Sequence, residues 1–270
     1  MKDFLSFFFK GLFFFFAKRQ FRTFMRLFFL TSFIGRYKEC KVSAGGFKIR
    51  VADLKSFIFQ YLEIFIYEFY AFKTQSSNPV IYDCEANVGT SVLYFSKNYP
   101  KAKIVAFEPS PAIFRLLEMN LKNNNVAQNI ILNKQAVWIK NETLVFNDEG
   151  ADGGSLHAIS NTKKVNVEAI DFLLTLQKEE KIDFLKIDIE GAEMELVPHI
   201  APALHKVENI FIEYHSFNGQ EQTLDKLLSV LTKHNFRYFI RHAIDRKKPF
   251  VNKKQDVNMD MQLNIFGYKN

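Results

Sequence analysis

Residues 80–107, VIYDCEANVGTSVLYFSKNYPKAKIVAF, carry the pattern that decides the fold. Val80–Asp83 is a short, nearly all-apolar run, as found in strands buried on both faces. It breaks at Glu85-Ala86-Asn87-Val88-Gly89, and a helix is predicted over 90–98 before a second apolar run, Ala102–Phe107. The same alternation spreads outward: helix 111–124, strand Ile130–Leu132, strand Phe184–Ile187 with helix 192–199, strand 207–213 with helix 221–234, and strands at 236–241 and 261–267. Short apolar strands separated by helices predict a doubly wound α/β sheet, whose ligands sit beyond the strand C-termini.

Upstream of this domain, Ala44-Gly45-Gly46 reads as a turn before an alternating strand, Phe47–Val51. Residues 54–72, LKSFIFQYLEIFIYEFYAF, read as a mostly buried helix with only Lys55, Glu63 and Glu68 charged. The loop Gln75–Pro79 marks the boundary, so the chain divides into 1–38, 39–78 and a main domain, 79–270.

Charge is distributed unevenly. Residues 1–38 hold eight Lys or Arg against Asp3 alone, whereas residues 39–270 balance 28 basic with 28 acidic residues. The net charge of +7 therefore belongs to the N-terminal segment, and a nucleic-acid-binding body is disfavoured for want of surplus cations. Cys40 and Cys84 are too few for a disulfide framework or a four-ligand zinc site, so a reducing, cytoplasmic setting is expected.

The N-terminal segment holds 13 of the 31 phenylalanines. Its longest apolar stretch, Phe4 to Ala17, has 14 residues, short of the roughly 20 that a spanning helix needs. From 18 to 30, Phe21, Phe24, Met25, Phe28 and Phe29 recur at helical spacing beside Arg19, Arg22 and Arg26. Two readings stand side by side: an interfacial helix on the cytoplasmic face of an anionic membrane, or a stripe packed on the body or on a second subunit. Oligomeric state is left open.

Four strand tips carry ionisable groups. The first strand ends in Asp83, before the turn through Glu85, Asn87 and Gly89 into a helix N-terminus. The second ends in Glu108, spaced to accept the hydroxyls of a nucleoside ribose. The run Asp183–Glu193, DFLKIDIEGAE, sets Lys186 beside Asp188 and Glu190; burying that lysine requires a partner. The next strand ends in Ile212-Glu213-Tyr214-His215.

DCEANVG at 83–89, AFEPSP at 106–111, Asn120, GGS at 153–155, DFLKIDIEGAE and IEYH together resemble the FkbM-type S-adenosylmethionine-dependent methyltransferases over about 47–267. The resemblance implies a class I methyltransferase fold: seven strands, the last antiparallel, here with an N-terminal helical extension. It implies methyl transfer to a hydroxyl of a sugar, glycan or related small acceptor. Asp83, Asn87 and Gly89 would line the methionine end of the cofactor and Glu108 its ribose. Asp188, Glu190 and His215 would face the acceptor, with His215 as general base and Lys186 holding the carboxylates.

Glu85 departs from the family pattern D-x-G-A-N-x-G, which has glycine there; a left-handed backbone at this point costs a non-glycine residue about 1–2 kcal/mol. Glu85 motivates an alternative, a non-catalytic methyltransferase-like module anchored at a membrane. An oxygen-rich magnesium site built from Asp188, Glu190, Glu213 and His215 is the alternative to a metal-free site. A nicotinamide oxidoreductase is disfavoured, because no G-x-G-x-x-G is present.

Overall fold

The structure, a computed structural model, describes residues 19–126, 128–148, 163–243, 246–252 and 259–269. Its centre is a seven-stranded sheet built from β3 (Val80–Cys84), β4 (Lys103–Phe107), β5 (Ile130–Asn133), β9 (Ile182–Ile187), β10 (Val207–Phe217), β11 (Arg237–His242) and β12 (Met259–Tyr268). The order is β11-β12-β10-β9-β3-β4-β5. Pairing is parallel from β10 to β5, and β12 runs antiparallel to both β10 and β11. All six residues of β9 are buried, as expected for a strand covered on both faces. The predicted α/β class, the seven strands and the antiparallel last strand are all present.

The helices start where the local chemistry allows. Gly89, at φ +89°, opens α3 (Thr90–Asn98); an added Cβ there would meet Leu117 at 2.6 Å. The helix after β4, α4 (Pro111–Asn123), has proline in its first turn, and the Ser110 hydroxyl accepts the Ile113 N–H. Helix α6 (Glu193–Ile200) follows β9, and α7 (Leu224–Lys233) follows β10.

Three features differ from the sequence reading. Strand β2 (Phe47–Val51) pairs with a strand that was not anticipated, β1 (Cys40–Ala44), in an antiparallel hairpin; β1 is short and half polar, so its pattern is weak. The helix expected over 54–72 ends earlier: α2 (Leu54–Tyr61) passes into a single π-helical stretch, Leu62–Ile66. A second sheet, β6-β8-β7, joins Ala136–Trp138, Lys163–Asp171 and Glu142–Asp148, followed by the short α5 (Phe172–Leu176). Its strands mix charged and apolar residues too evenly to read as a core.

Asn120 locks the hairpin to the sheet. Its Oδ1 accepts the Arg50 N–H at 2.7 Å, and its Nδ2 donates to the Arg50 and Val88 carbonyls at 2.8 Å. One apolar core accordingly includes Ile49, Leu54 and Tyr61 together with Ile81, Leu93, Ile104 and Leu117. The N-terminal helix, α1 (Arg19–Leu30), buries Leu27 completely in that core and packs Phe24 and Leu30 against it. The Phe-rich stretch 4–17 lies outside the described residues.

Candidate active site

Sheet register creates the site. Asp83 stands opposite Lys186 on adjacent parallel strands. Both are buried, with the Lys186 Nζ 3.5 Å from Asp83 Oδ1 and 3.1 Å from Asp188 Oδ2. The same ammonium donates to the Glu85 carbonyl at 3.0 Å, and the Ser91 hydroxyl donates to Asp83 at 2.5 Å. Burial alone lowers the pKa of Lys186, but Asp188, Asp83, Tyr70 and Glu85 outweigh that and hold it protonated. Lys186 is thus the clamp that ties the first turn to the acidic strand tip.

The turn after β3 is strained at two residues that are not glycine: Glu85 at φ +71° and Asn87 at φ +52°. Glu85 therefore occupies a left-handed position where glycine is favoured. Burial pushes its carboxyl well up, and Glu108, Glu190 and Asp188 push it further. The side chain thus feels the ribose-type carboxylate on one side and the acidic tip on the other. Glu108 is buried and accepts the Asn87 and Ser110 N–H groups, each at 2.9 Å. Replacing Glu85 by glycine relieves the backbone strain, partly offset by the added freedom of the unfolded chain, for a net gain of about 0.5–1 kcal/mol. The unfolding midpoint of Glu85→Gly is expected to rise by about 2 °C in a thermal melt.

At the tip of β10, His215 is enclosed by carboxylates. Its Nδ1 lies 3.1 Å from Glu193 Oε1; its Nε2 lies 3.5 Å from Glu190 Oε2 and 4.0 Å from Glu213 Oε1. Burial lowers the pKa of this imidazole, yet Glu190, Glu193 and Glu213 together raise it well above the usual histidine range. The acids thus favour the protonated ring, while the Gln262 amide nitrogen lies 3.4 Å from Nε2. Glu193 in turn accepts the Gly191 N–H at 3.0 Å, fixing the Glu190-Gly191 turn, where Glu190 has φ +51° and Gly191 φ +100°.

The structure adds four residues to those read from sequence. Glu193 lies inside the quoted run but was assigned no role. Gln262 and Asn264 enter from β12, opposite His215 and Glu213 in the antiparallel register; the Gln262 amide donates to Glu213. Glu63 arrives from the π-helical stretch, a distortion common at functional sites, and accepts from Asn264 at 3.3 Å. Burial and then Asp188 raise the Glu63 carboxyl to about 7. Its sequence signal was a charge inside an otherwise apolar helix. Asn120 is a structural clamp, and the GGS run at 153–155 lies outside the described residues.

Asp188, Glu213 and His215 bring one potential ligand atom each within 4.8 Å of one another. A metal would need the neutral imidazole, whereas the surrounding carboxylates favour the protonated one and Gln262 already engages Glu213. Burial and then Asp188 also raise the Glu213 carboxyl, with His215 opposing. Lys186 and His215 are the two basic side chains set among these acids.

The profile of the Methyltransferase FkbM domain matches residues 83–238, more than half of the chain. Methyltransferase sdnD of Sordaria araneosa is 29% identical over 205 residues, covering 63% of this chain and 79% of that protein. The hexuronic acid methyltransferase AglP of Haloferax volcanii is 26% identical over 154 residues, covering 56% of this chain and 62% of that protein. The crystal structure of Methyltransferase FkbM from Methylobacillus flagellatus KT superposes with a TM-score of 0.48 at 13% identity, covering 78% of this chain and 52% of that one.

Proposed function

The chain belongs to the FkbM methyltransferase family, and from that premise we propose that it transfers the methyl group of S-adenosylmethionine to a hydroxyl oxygen of a sugar or glycan acceptor. The observation that carries the reading is His215, buried at a strand tip among Glu190, Glu193 and Glu213 and one strand away from the Asp83–Lys186 clamp. The hexuronic acid relative supports a sugar acceptor. Cys40 and Cys84, both free thiols, fit a cytoplasmic setting. Among the described residues no helix is long and apolar enough to cross a membrane.

The residues present suit this cofactor. Asp83, Glu85, Asn87 and Gly89 would hold its amino-acid end, and Glu108 its ribose. The excess of acids matches its positive sulfonium and ammonium groups. When bound, the cofactor supplies a methyl group already activated for transfer. The protein's part is orientation and proton removal. The proton of the acceptor is assigned to His215 Nε2, the nitrogen that Glu190 and Gln262 approach at 3.5 and 3.4 Å, with Glu193 holding Nδ1. Asp188 and Glu190 accept from acceptor hydroxyls, and Lys186 keeps Asp188 in place. A neighbouring cation lowers the pKa of an imidazolium, so the loaded site releases the His215 proton more readily than the empty one.

The non-catalytic alternative rests on Glu85 alone, against relatives named as methyltransferases. Calorimetry tests the reading. Ionised Glu63 attracts a cation and protonated Glu63 does not. S-adenosylmethionine should therefore bind several-fold more tightly at pH 8 than at pH 6, with the change centred near 7. S-adenosylhomocysteine lacks the sulfonium charge and should change less. Absence of cofactor binding at both pH values would overturn the reading.

A further inference from the structure

The N-terminal helix has two apolar faces, and only one is used by the body. Leu27 is fully buried, and Phe24 and Leu30 pack behind it. On the opposite side Phe28 and Phe29 are 56% and 65% exposed, and Phe33, just past the helix, is 72% exposed. Met25 extends the same patch. Hydrogen bonds hold the helix in place: Arg26 donates to the Ser43 carbonyl at 2.6 Å, and the Tyr61 hydroxyl donates to the Gln20 carbonyl at 3.3 Å. The exposed face is therefore displayed on a clamped element.

A cavity of about 370 Å³ opens on the flank of this helix, against the turn between β1 and β2. Arg19, Arg26, Lys48 and Lys97 line it, Thr23 and Tyr61 add hydroxyls, and among the described residues no acidic one is in its lining. Lys97 is oriented by the Gly45 carbonyl at 2.8 Å. Gly45 and Gly46 have φ of +64° and +97°, and a Cβ on Gly45 would meet Phe65 at 2.4 Å. The turn is thus committed to glycine, whose bare backbone borders the cavity.

We propose that this face of α1 docks on an anionic lipid surface, with the phenylalanine rings in the acyl boundary and phosphate headgroups in the basic cavity beside them. The arrangement of an aromatic face with cations along its flank is that of an interfacial helix. Charge chooses the occupant. The N-terminal segment carries the whole net charge of +7, which attracts an anionic leaflet. A second copy of this chain would present the same cations to itself across a two-fold interface.

The experiment is co-sedimentation of the full chain with vesicles of phosphatidylcholine alone, and with phosphatidylcholine containing about one-third phosphatidylglycerol. Partitioning onto the anionic vesicles should be at least about tenfold stronger and should fall with salt. The variant Phe28→Ser/Phe29→Ser alters only exposed side chains, so its melting curve should match the parent, while its partitioning drops by about tenfold or more. Arg19→Ala/Lys48→Ala should weaken binding to anionic vesicles and flatten the salt dependence. Equal sedimentation with both vesicle types overturns the proposal. So does undiminished binding of the phenylalanine variant, which would move the contact to residues 1–18, or a dimer that the same variant dissociates without any vesicle binding.

Discussion

Alanine at position 215 lowers kcat by a factor of about 10² to 10⁴, the usual worth of a positioned general base, while affinity for S-adenosylmethionine stays within a few-fold. The imidazole lies among Glu193, Glu190 and Glu213 and stands two strands away from the turn assigned to the cofactor, with β9 between them. Its removal therefore takes away the proton acceptor and leaves that turn intact. In the parent, kcat should rise with pH. The imidazolium is favoured at rest, well above the ordinary histidine range, and only the neutral ring accepts a proton. Glu193→Gln removes the negative partner at Nδ1, so the rising limb should move to lower pH. A His215→Ala variant with full turnover and a normal melting curve would refute the assignment.

The second large effect is on stability. Lys186→Met should cost about 3–5 kcal/mol, the typical penalty for removing one partner of a buried ion pair, and should lower the unfolding midpoint by about 10 °C. The reason lies in Asp83, which is fully buried and left with the Ser91 hydroxyl as its remaining side-chain partner. In the variant, burial raises the folded-state pKa of Asp83 above its unfolded value. The folded state then prefers the protonated acid, and stability falls as pH rises through the carboxylate range. The deficit should be larger at pH 7 than at pH 4. Adding Asp83→Asn should recover part of the loss, because it removes the unpaired charge. Equal unfolding midpoints for parent and Lys186→Met would show that the clamp has no structural weight.

The comparison of sequence with structure follows the range of the interactions. Strands β3, β4, β9 and β10 were legible because each is a run of buried apolar residues bounded by a turn, a signal confined to a few neighbours. Helix α3 was legible because Gly89 marks its start. The ionisable strand tips Asp83, Glu108, Lys186, Asp188 and His215 stood out because charge at the end of an apolar run has to be explained locally. The glycine that the pattern places at position 85 raised a left-handed turn only as a condition, and the structure has that backbone at φ +71°.

The hairpin partner Cys40–Ala44, the π-helical stretch Leu62–Ile66 and the sheet β6-β8-β7 were not legible. Their stability comes from packing and cross-strand pairing with residues far away in the chain. The surroundings of His215 belong to the same class. Asn264 and Glu63, which meet in the site, are 201 positions apart, and Gln262 reaches Glu213 only through the antiparallel register of β12. The order of elements, the turn that opens the site and the basic, aromatic character of the N-terminus follow from the sequence by itself, because backbone preference and apolar periodicity act over one or two turns. Which carboxylates surround His215, that Lys186 joins Asp83 to Asp188, and that half of the N-terminal helix faces outward were decided only by tertiary structure. Those facts depend on which strand lies beside which, and on how much of each side chain water can still reach.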